Sequence, residues 1–353
     1  MRLFECQSCG QTTHFDNVGC VQCGHRLGYI PGLTVLSAIE PDGAQWTTLA
    51  DPDRRFLLCD NAETIGCNWL VPADGGPTLC ESCRHTRTIP DLAVEGNAAR
   101  WAKMEAAKRY LFYSLIRWNL PRPTLAEAPQ AGLVFDFLAD TVAPDGSVAK
   151  VLTGHASGVI TINIAEADDA EREKRRVEMR EPYRTLLGHM RHEVGHYYWD
   201  VLVRDGGQVE PFRALFGDES ADYGAALQRH YENGPSADWD QSFISTYATA
   251  HPWEDFAETW AHYLHMVDAL ETAGAFGLRT RPRVAEAKEL TAKVDFDPYD
   301  VGSAQTLIEA WVPLTVAINA INRAMGQPDL YPFVLNEPVE RKLELMRGLV
   351  QRG

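Results

Sequence analysis

The sequence predicts an α+β fold in which a cysteine-rich N-terminal region precedes a mostly helical domain with a small antiparallel sheet. Three observations predict it. All eight cysteines lie between Cys6 and Cys83, two later segments alternate apolar and polar residues as strands do, and six segments show helical patterns. A chain of 353 residues is long enough for two or three domains. We expect a double four-cysteine region, a helix with a linker, and a main domain, at residues 1–90, 91–130 and 131–353.

The first four cysteines form two C-x-x-C pairs, Cys6, Cys9, Cys20 and Cys23. Such a pair wraps a metal ion in a tight turn, and the glycines directly after each pair, Gly10 and Gly24, relieve the turn that follows. Two pairs supply four thiolates in the tetrahedral arrangement that zinc prefers. The pattern therefore predicts a structural zinc site, because metal binding supplies folding free energy to so small a module.

The second set of cysteines is less regular and consists of Cys59, Cys67, Cys80 and Cys83. Only its last two members form a C-x-x-C pair, and the first two have seven residues between them, so they must converge through a loop. We predict a second structural zinc site here, and the alternative is four free thiols in a small reduced core. Because eight cysteines divide into two sets of four, no ligand role is expected for three nearby histidines, His14, His25 and His85.

Charge disfavours nucleic acid as a partner. Residues 1–90 carry six Lys or Arg and ten Asp or Glu, so their net charge is −4, and each four-thiolate zinc site adds about −2. The whole chain has a formal net charge of −16, which also disfavours anionic lipid. The N-terminus has no apolar signal segment, and the apolar stretch at 311–321 is too short for a membrane span and contains Pro313. We therefore expect a cytoplasmic protein with neither a nucleic-acid nor a membrane partner.

Helical and strand patterns organise the remaining chain. An amphipathic helix from Asn97 to Leu120 ends before Pro121, and we expect Lys108 to extend its amine from the apolar stripe of that helix to solvent. The strands at 133–138 and 158–164 are expected to pair antiparallel, because a turn-rich segment joins them. Further helices are predicted at 182–203, 218–231, 252–272, 303–325 and 337–350.

The most specific motif is His192-Glu193-Val194-Gly195-His196, which has the pattern H-E-x-x-H. Residues four apart lie about 40° apart around a helix axis, so His192 and His196 share one face of their helix. Two imidazoles in this arrangement bind one zinc ion, and Glu193 lies beside the metal. The motif therefore predicts two metal ligands and the general base of a zinc hydrolase.

A catalytic zinc ion needs a third protein ligand, while its fourth position stays open for water. The metzincin pattern requires Gly and His three and six residues after His196, where this chain has Trp199 and Leu202. The aspzincin pattern requires Asp at the position of Ser220. The remaining option is a glutamate on a second helix.

Glu254 and Glu258 lie four residues apart on the helix that Pro252 begins, so they face the same way. We predict that Glu254 binds zinc and that Glu258 accepts a hydrogen bond from the far nitrogen of a zinc-bound histidine. Two alternatives stay open. One is an acidic first turn that merely suits the helix dipole, and the other is Glu219 as the third ligand.

These motifs resemble known families. H-E-x-x-H followed by Glu254-Asp-Phe-Ala resembles the gluzincins, the clan of thermolysin, lethal-factor-type toxins and zinc aminopeptidases. The whole chain, with two four-cysteine ribbons ahead of the motifs, resembles a bacterial family of zinc-binding metallopeptidases with an N-terminal zinc ribbon. The catalytic match covers about residues 150–275 and the ribbon match about residues 1–90. The resemblance implies a zincin-like (gluzincin) metallopeptidase domain after the ribbons.

The resemblance also implies roles for matching residues. The zinc ligands are His192, His196 and Glu254. Glu193 activates the zinc-bound water as general base, and Tyr247, seven residues before the ligand glutamate, stabilises the oxyanion, although a tyrosine there also suits a core. The strand at 158–164 resembles the edge strand that pairs with an extended peptide substrate. The G-x-M-E-N step of gluzincin aminopeptidases does not occur, so an endopeptidase is expected.

These patterns favour a zinc metallopeptidase that holds one catalytic and two structural zinc ions and cleaves a peptide or protein substrate. Its ribbons would dock or restrict that substrate. The alternative is a catalytically silent adaptor that keeps the zincin fold to bind a protein partner, although a scaffold needs none of the catalytic residues. The motifs are specific for the clan, but not for a substrate or an oligomeric state.

Overall fold

The computed structural model describes residues 1–142, 145, 147–178, 184–284 and 288–352. The chain divides into two compact units, Met1–Glu178 and Met179–Gly353. Its architecture is the predicted α+β type, with a zinc-ribbon-like N-terminal region followed by a mostly helical part with small sheets. The sequence-based division at residues 90 and 130 stays a prediction.

The first unit begins with two antiparallel sheets. Strands β1 (Phe4–Glu5) and β2 (Thr12–Thr13) form a hairpin that encloses the first C-x-x-C pair. Five antiparallel strands follow in spatial order, β3 (Arg26–Ile30), β4 (Val35–Asp42), β5 (Gln45–Thr48), β6 (Arg55–Leu58) and β7 (Leu70–Pro72). A short helix, α1 (Ala62–Ile65), lies in the loop before β7. The core of the larger sheet consists of Ile30, Ile39, Phe56 and Leu70.

A four-stranded mixed sheet closes the first unit. Its strands are β8 (Thr86–Thr88), β9 (Val134–Leu138), β12 (Gly154–Ala156) and β13 (Val159–Asn163), and their spatial order is β12-β13-β9-β8. Between β9 and β12 the chain forms a separate small hairpin of β10 (Thr141–Val142) and β11 (Val148–Ala149). The predicted antiparallel pairing of 133–138 with 158–164 is wrong, because β9 and β13 run parallel. The predicted edge position of 158–164 is also wrong. A tight turn at Ser157 and Gly158, both with positive φ, folds β12 back onto the outer side of β13.

The predicted amphipathic helix is confirmed as α2 (Asn97–Arg117), and a charged helix, α3 (Asp169–Glu178), ends the unit. The expectation that Lys108 reaches solvent is wrong. Its side chain is fully buried, with Nζ 2.9 Å from Glu105 Oε2 and a further hydrogen bond to Thr86 Oγ1. Glu105 lies one helical turn before Lys108, so the charge finds a partner inside the core and has no need to reach water.

The second unit is mainly helical. Its helices are α4 (Leu186–Tyr198), α5 (Val209–Phe216), α6 (Tyr223–Asn233), α7 (Pro252–Ala275), α8 (Ala304–Ala324) and α9 (Glu337–Val350), and a hairpin of β14 (Arg279–Thr280) and β15 (Ala292–Lys293) precedes α8. The five helices predicted here are confirmed, α9 with the predicted ends and the other four with at least one end shifted. The predicted start at Pro182 lies outside the described residues, and α4 begins where Thr185 Oγ1 accepts a hydrogen bond from the Gly188 N–H. A π-helical turn, Trp199–Arg204, continues α4.

Helix α7 is the centre of the second unit and packs against α4, α5, α8 and α9. Gly195 lets α4 approach α7 closely. A Cβ at this position would lie 3.0 Å from Ala257 Cα and 3.2 Å from Trp260 Cδ1. The small residue therefore sets the separation of the two helices that carry the H-E-x-x-H motif and Glu254.

Helix α8 is long and apolar enough, by length and composition alone, to cross a membrane. The apolar stretch at 311–321 is part of this longer helix, which extends back to Ala304. The core helix of a soluble protein has the same length and composition, and 44% of the apolar window is buried inside the structure. Trp311 and Leu314 lie on the buried side.

Candidate metal centres and active site

The first cysteine cluster brings four sulfurs together. Cys6 Sγ lies 3.7 Å from Cys23 Sγ, and Cys9 Sγ lies 3.6 Å from Cys20 Sγ. Four ligands about 2.3 Å from a tetrahedral zinc ion are about 3.8 Å apart, whereas a disulfide requires about 2.05 Å. The cluster therefore fits zinc. Both glycines after the pairs adopt positive φ, as the tight turns require, at Gly10 and Gly24.

The second cluster has the same dimensions but is wholly buried. Cys67 Sγ lies 3.7 Å from Cys80 Sγ and 3.8 Å from Cys83 Sγ. The backbone N–H of Cys80 donates to Cys59 Sγ at 3.4 Å, as expected for a thiolate that binds metal. The segment between Cys59 and Cys67 contains α1, and Gly66 in the left-handed region ends that helix. The loop predicted from the irregular spacing is therefore a helical turn.

The three histidines for which no ligand role is expected have different surroundings. His85 is buried and its Nδ1 lies 2.7 Å from the Leu133 carbonyl oxygen, and burial lowers the pKa of His85 to about 4. His25 lies beside the first cluster, with Nδ1 3.3 Å from Cys23 Sγ and Nε2 3.6 Å from Glu40 Oε1. His14 donates its backbone N–H to Asn17 Oδ1. Among the described residues, each cysteine group that is able to hold a metal consists of cysteines alone.

The third group consists of His192, His196 and Glu254. One ligand atom from each lies within 4.8 Å of the others, and all three residues are buried. Glu254 Oε2 is 3.0 Å from His192 Nε2 and 3.5 Å from His196 Nε2. Ligands about 2.0–2.1 Å from a tetrahedral zinc ion are about 3.3 Å apart, so this donor set also fits zinc.

Local sequence explains how Glu254 reaches this position. Pro252 starts α7 because its missing N–H is not needed in the first turn. His251 caps the helix, and its Nδ1 accepts a hydrogen bond from the Trp253 N–H at 3.1 Å. The Trp253 ring packs 3.9 Å from the His196 ring, centroid to centroid. The first turn of α7 is therefore fixed against the histidine motif of α4.

Glu258 lies one turn further along α7, on the other side of His192. Glu258 Oε1 is 2.7 Å from His192 Nδ1, and Glu258 Oε2 accepts a hydrogen bond of 2.6 Å from Ser245 Oγ. Burial alone would raise the pKa of Glu258, but the bond with His192 outweighs it and lowers that pKa to about 2. A charged Glu258 favours His192 with its proton on Nδ1, which leaves Nε2 free to bind a metal.

Glu193 points to a residue one turn earlier on the same helix. His189 Nε2 lies 3.2 Å from Glu193 Oε1. Burial would raise the pKa of Glu193, but the contact with His189 and the positive field of nearby imidazoles hold that pKa below its ordinary value. The carboxylate is therefore charged and able to accept a proton.

Two tyrosines lie at this centre. The ring of Tyr247 lies 5.8 Å from the ring of His192, and burial together with the charge of Glu254 raises the pKa of Tyr247. The hydroxyl of Tyr223 donates a 2.5 Å hydrogen bond to Glu254 Oε1. Burial also raises the pKa of Tyr223, so both phenols are neutral at ordinary pH.

Other predicted candidates lie elsewhere. Glu219, the alternative third ligand, forms an ion pair of 2.7 Å with Arg213 and is not a member of the metal-binding group. His262 lies on α7, and its Nδ1 is 2.7 Å from the Tyr331 hydroxyl, which is a structural contact. His265 is likewise structural, since its Nδ1 is 2.6 Å from Arg191 Nη1.

Sequence reasoning missed three residues at the centre, Tyr223, Ser245 and His189. His189 had a signal, because it lies three residues before His192 and extends the motif to H-x-x-H-E-x-x-H on one helix face. Tyr223 and Ser245 had none. They reach the site through folding of separate segments, and no local pattern marks them.

Comparisons with known proteins agree with this description. A family model described as "Putative zinc-binding metallo-peptidase" matches residues 97–349, and a zinc-ribbon domain model matches residues 3–94. Uncharacterized proteins of Mycobacterium bovis and of two strains of Mycobacterium tuberculosis are each 42% identical over 353 residues, which cover 99% of this chain and 95% of the relative. No solved structure matches.

Proposed function

This chain belongs to the family of zinc-binding metallo-peptidases, and we propose that it is a zinc-dependent endopeptidase. In this proposal His192, His196 and Glu254 hold the catalytic zinc ion, and the two cysteine clusters hold structural zinc ions. The observation that carries it is the convergence of two imidazole nitrogens and a carboxylate oxygen beside Glu193. Two histidines and one glutamate are the donor set of a catalytic zinc site with an open fourth position.

A zinc ion held there supplies Lewis acidity, which polarises a peptide carbonyl and makes water more acidic. The protein supplies the proton transfers. Glu193 accepts a proton from the attacking water and passes it to the leaving amine, and His189 orients the carboxylate through the 3.2 Å contact with Oε1. Glu258 keeps the proton of His192 on Nδ1.

Tyr247 is the proposed donor to the oxyanion that forms on the peptide carbonyl. Its ring lies beside His192, and its raised pKa keeps the hydroxyl protonated. A fixed phenol donor in a buried site stabilises charge that develops only in the transition state. Tyr247→Phe should therefore lower kcat by about 10²–10³-fold and leave the metal affinity unchanged.

The substrate is proposed to be a peptide or protein, and the ribbons to dock it or restrict its entry. A cytoplasmic location and the absence of a nucleic-acid or membrane partner stay predictions from composition and charge.

Metal analysis and a peptide library test this proposal together. Purified protein should contain about three zinc ions, of which a mild chelator removes one and leaves the two held by four thiolates. The metal-loaded protein should cleave members of a broad peptide library, with internal products identified by mass spectrometry. Glu193→Gln keeps the shape of the site and removes its base, so it should bind all three zinc ions and lose about 10²–10⁴-fold or more in turnover.

Two results would contradict the proposal. A reconstituted protein that binds no metal at His192 and His196 would remove the catalytic centre, and full activity of the Glu193→Gln variant would remove the base. A clean preparation that loads three zinc ions and captures a protein partner but cleaves nothing would support the adaptor instead.

A further inference from the structure

The two oxygens of Glu254 have different partners. Oε2 faces the histidine motif, at 3.0 Å from His192 Nε2 and 3.5 Å from His196 Nε2. Oε1 accepts the 2.5 Å hydrogen bond of the Tyr223 hydroxyl. The contacts of this buried carboxylate are therefore divided, with the imidazoles at Oε2 and a phenol at Oε1.

Tyr223 is held in place by the structure around it. It is the first residue of α6, where Asp222 Oδ1 caps the helix by accepting the Ala225 N–H at 2.9 Å. The Tyr223 ring makes edge contacts with the rings of His251 and Trp253, at centroid distances of 5.2 and 5.8 Å. These contacts orient the phenol toward Glu254.

A second link joins the beginnings of α6 and α7. His251 Nδ1 accepts the Trp253 N–H, so its Nε2 carries the ring proton and donates to the Ala221 carbonyl oxygen at 3.1 Å. The residue that caps α7 thus also fixes the chain two residues before Tyr223. Tyr223 is 38% exposed, but its hydrogen bond to Glu254 is part of this connected arrangement.

We propose that Tyr223 is a positioning residue that restricts Glu254 to metal binding through Oε2 alone. The inference rests on the proposed zinc site. A carboxylate binds zinc through one oxygen or through both, and the second oxygen would occupy the coordination position that a catalytic site keeps open. A short hydrogen bond to Oε1 opposes that second contact, and it also fixes the carboxylate in the direction of the two imidazoles. The role differs from that of Tyr247, which is proposed to act on the substrate.

The test compares Tyr223→Phe with Tyr231→Phe. Both changes remove one hydroxyl from α6, but the side chain of Tyr231 is 67% exposed and its ring contacts the ring of His230. Chelator competition on protein that retains its ribbon zinc measures the affinity of the remaining site. Tyr223→Phe should weaken zinc binding by about 10–100-fold, and Tyr231→Phe should leave it unchanged.

Cobalt(II) gives a second readout that does not depend on activity. With zinc kept in the ribbons and Co²⁺ in the His192, His196 and Glu254 site, a rise in coordination number weakens the visible absorption of the ion. Tyr223→Phe should therefore give a weaker spectrum than wild type. His251→Asn, which retains an acceptor for the Trp253 N–H but has no donor at the position of Nε2, should change affinity in the same direction by less.

The outcomes separate this inference from the proposed function. A wild-type protein that binds no third metal overturns the zinc site itself. If wild type binds the third metal and folded Tyr223→Phe, checked by its thermal unfolding, has the same affinity and the same cobalt spectrum, Tyr223 has no positioning role. Equal weakening by Tyr231→Phe would also overturn the inference, because the effect would then belong to α6 as a whole.

Discussion

Substituting Gly195 with alanine tests whether the close approach of two helices builds the metal site. The added Cβ would lie 3.0 Å from Ala257 Cα and 3.2 Å from Trp260 Cδ1, so α4 must move away from α7. Reaching an ordinary contact of about 3.4 Å requires a shift of about 0.4 Å (3.4 − 3.0). The ligand His196 is adjacent to Gly195, and Glu254 lies one turn before Ala257, so the shift separates the ligands directly.

Two effects on stability oppose each other. Alanine is a better helix former than glycine by about 0.8–1.0 kcal/mol, whereas overpacking a tight interface costs about 1–3 kcal/mol. We expect Gly195→Ala to destabilise the protein by about 0–2 kcal/mol. The effect on metal is larger, because zinc–ligand distances vary by only about ±0.2 Å. The affinity for the third zinc ion should fall about 10–100-fold.

Gly348→Ala is the matched control. Gly348 lies in the last turns of α9, and a Cβ there meets nothing within 4 Å. This variant gains helix propensity alone, so it should be more stable by up to about 1 kcal/mol with an unchanged zinc affinity. Thermal unfolding and chelator competition measure both quantities. If Gly195→Ala is stabilised as much as Gly348→Ala and binds the third zinc ion as tightly as wild type, the close approach does not set the ligand geometry.

Three further predictions concern Glu258, His262 and Cys67. Glu258→Gln keeps an acceptor for His192 but loses the charge, so zinc affinity should fall about tenfold. Glu258→Ala removes the acceptor as well, so zinc affinity should fall about a hundredfold. Chelator competition that ranks the two variants in the opposite order would contradict the orienting role of Glu258. Burial lowers the pKa of His262 from 6.5 to about 4, so the folded state resists its protonation and loses about 3 kcal/mol as pH falls from 6.5 to 4. Urea unfolding at matched metal content should show this loss in wild type but not in His262→Gln, and equal pH slopes would refute it. Cys67→Ser removes a buried thiolate, so after mild chelation this variant should contain one zinc ion fewer than wild type treated in the same way. A zinc content equal to that of wild type would exclude the second ribbon site.

Local patterns predicted most of the second unit. Helices α7 and α9 begin at the residues that their caps and prolines indicate, because these signals act within one helical turn. The same reasoning placed Glu254 and Glu258 on one helix face, and the structure brings both to His192. Their roles as ligand and orienting acid stay predictions, since the geometry fits them without testing them.

Pairing between distant segments was not predictable in the same way. Alternation identified the strands β9 and β13 but carries no information on direction, and the parallel arrangement depends on where β8 and β12 lie. The sequence contained an indication that Lys108 is buried, although its position on the apolar stripe of α2 led to the opposite prediction. Glu105 precedes it by three residues, and such a pair is able to enter a core together.

The position of Tyr223 shows why a motif specifies less than a site. H-E-x-x-H fixes two nitrogens through the geometry of one helix, and the spacing of Glu254 and Glu258 fixes contacts to both nitrogens of His192 through the geometry of another. Nothing in either helix determines whether one oxygen of Glu254 or both would bind a metal ion. In our proposal, that choice depends on a hydrogen bond from Tyr223, which lies 31 residues earlier in the chain. A protein with the same two motifs but without a donor at this position would have the same ligands and a different constraint on their coordination, so the motif alone does not establish an open catalytic position.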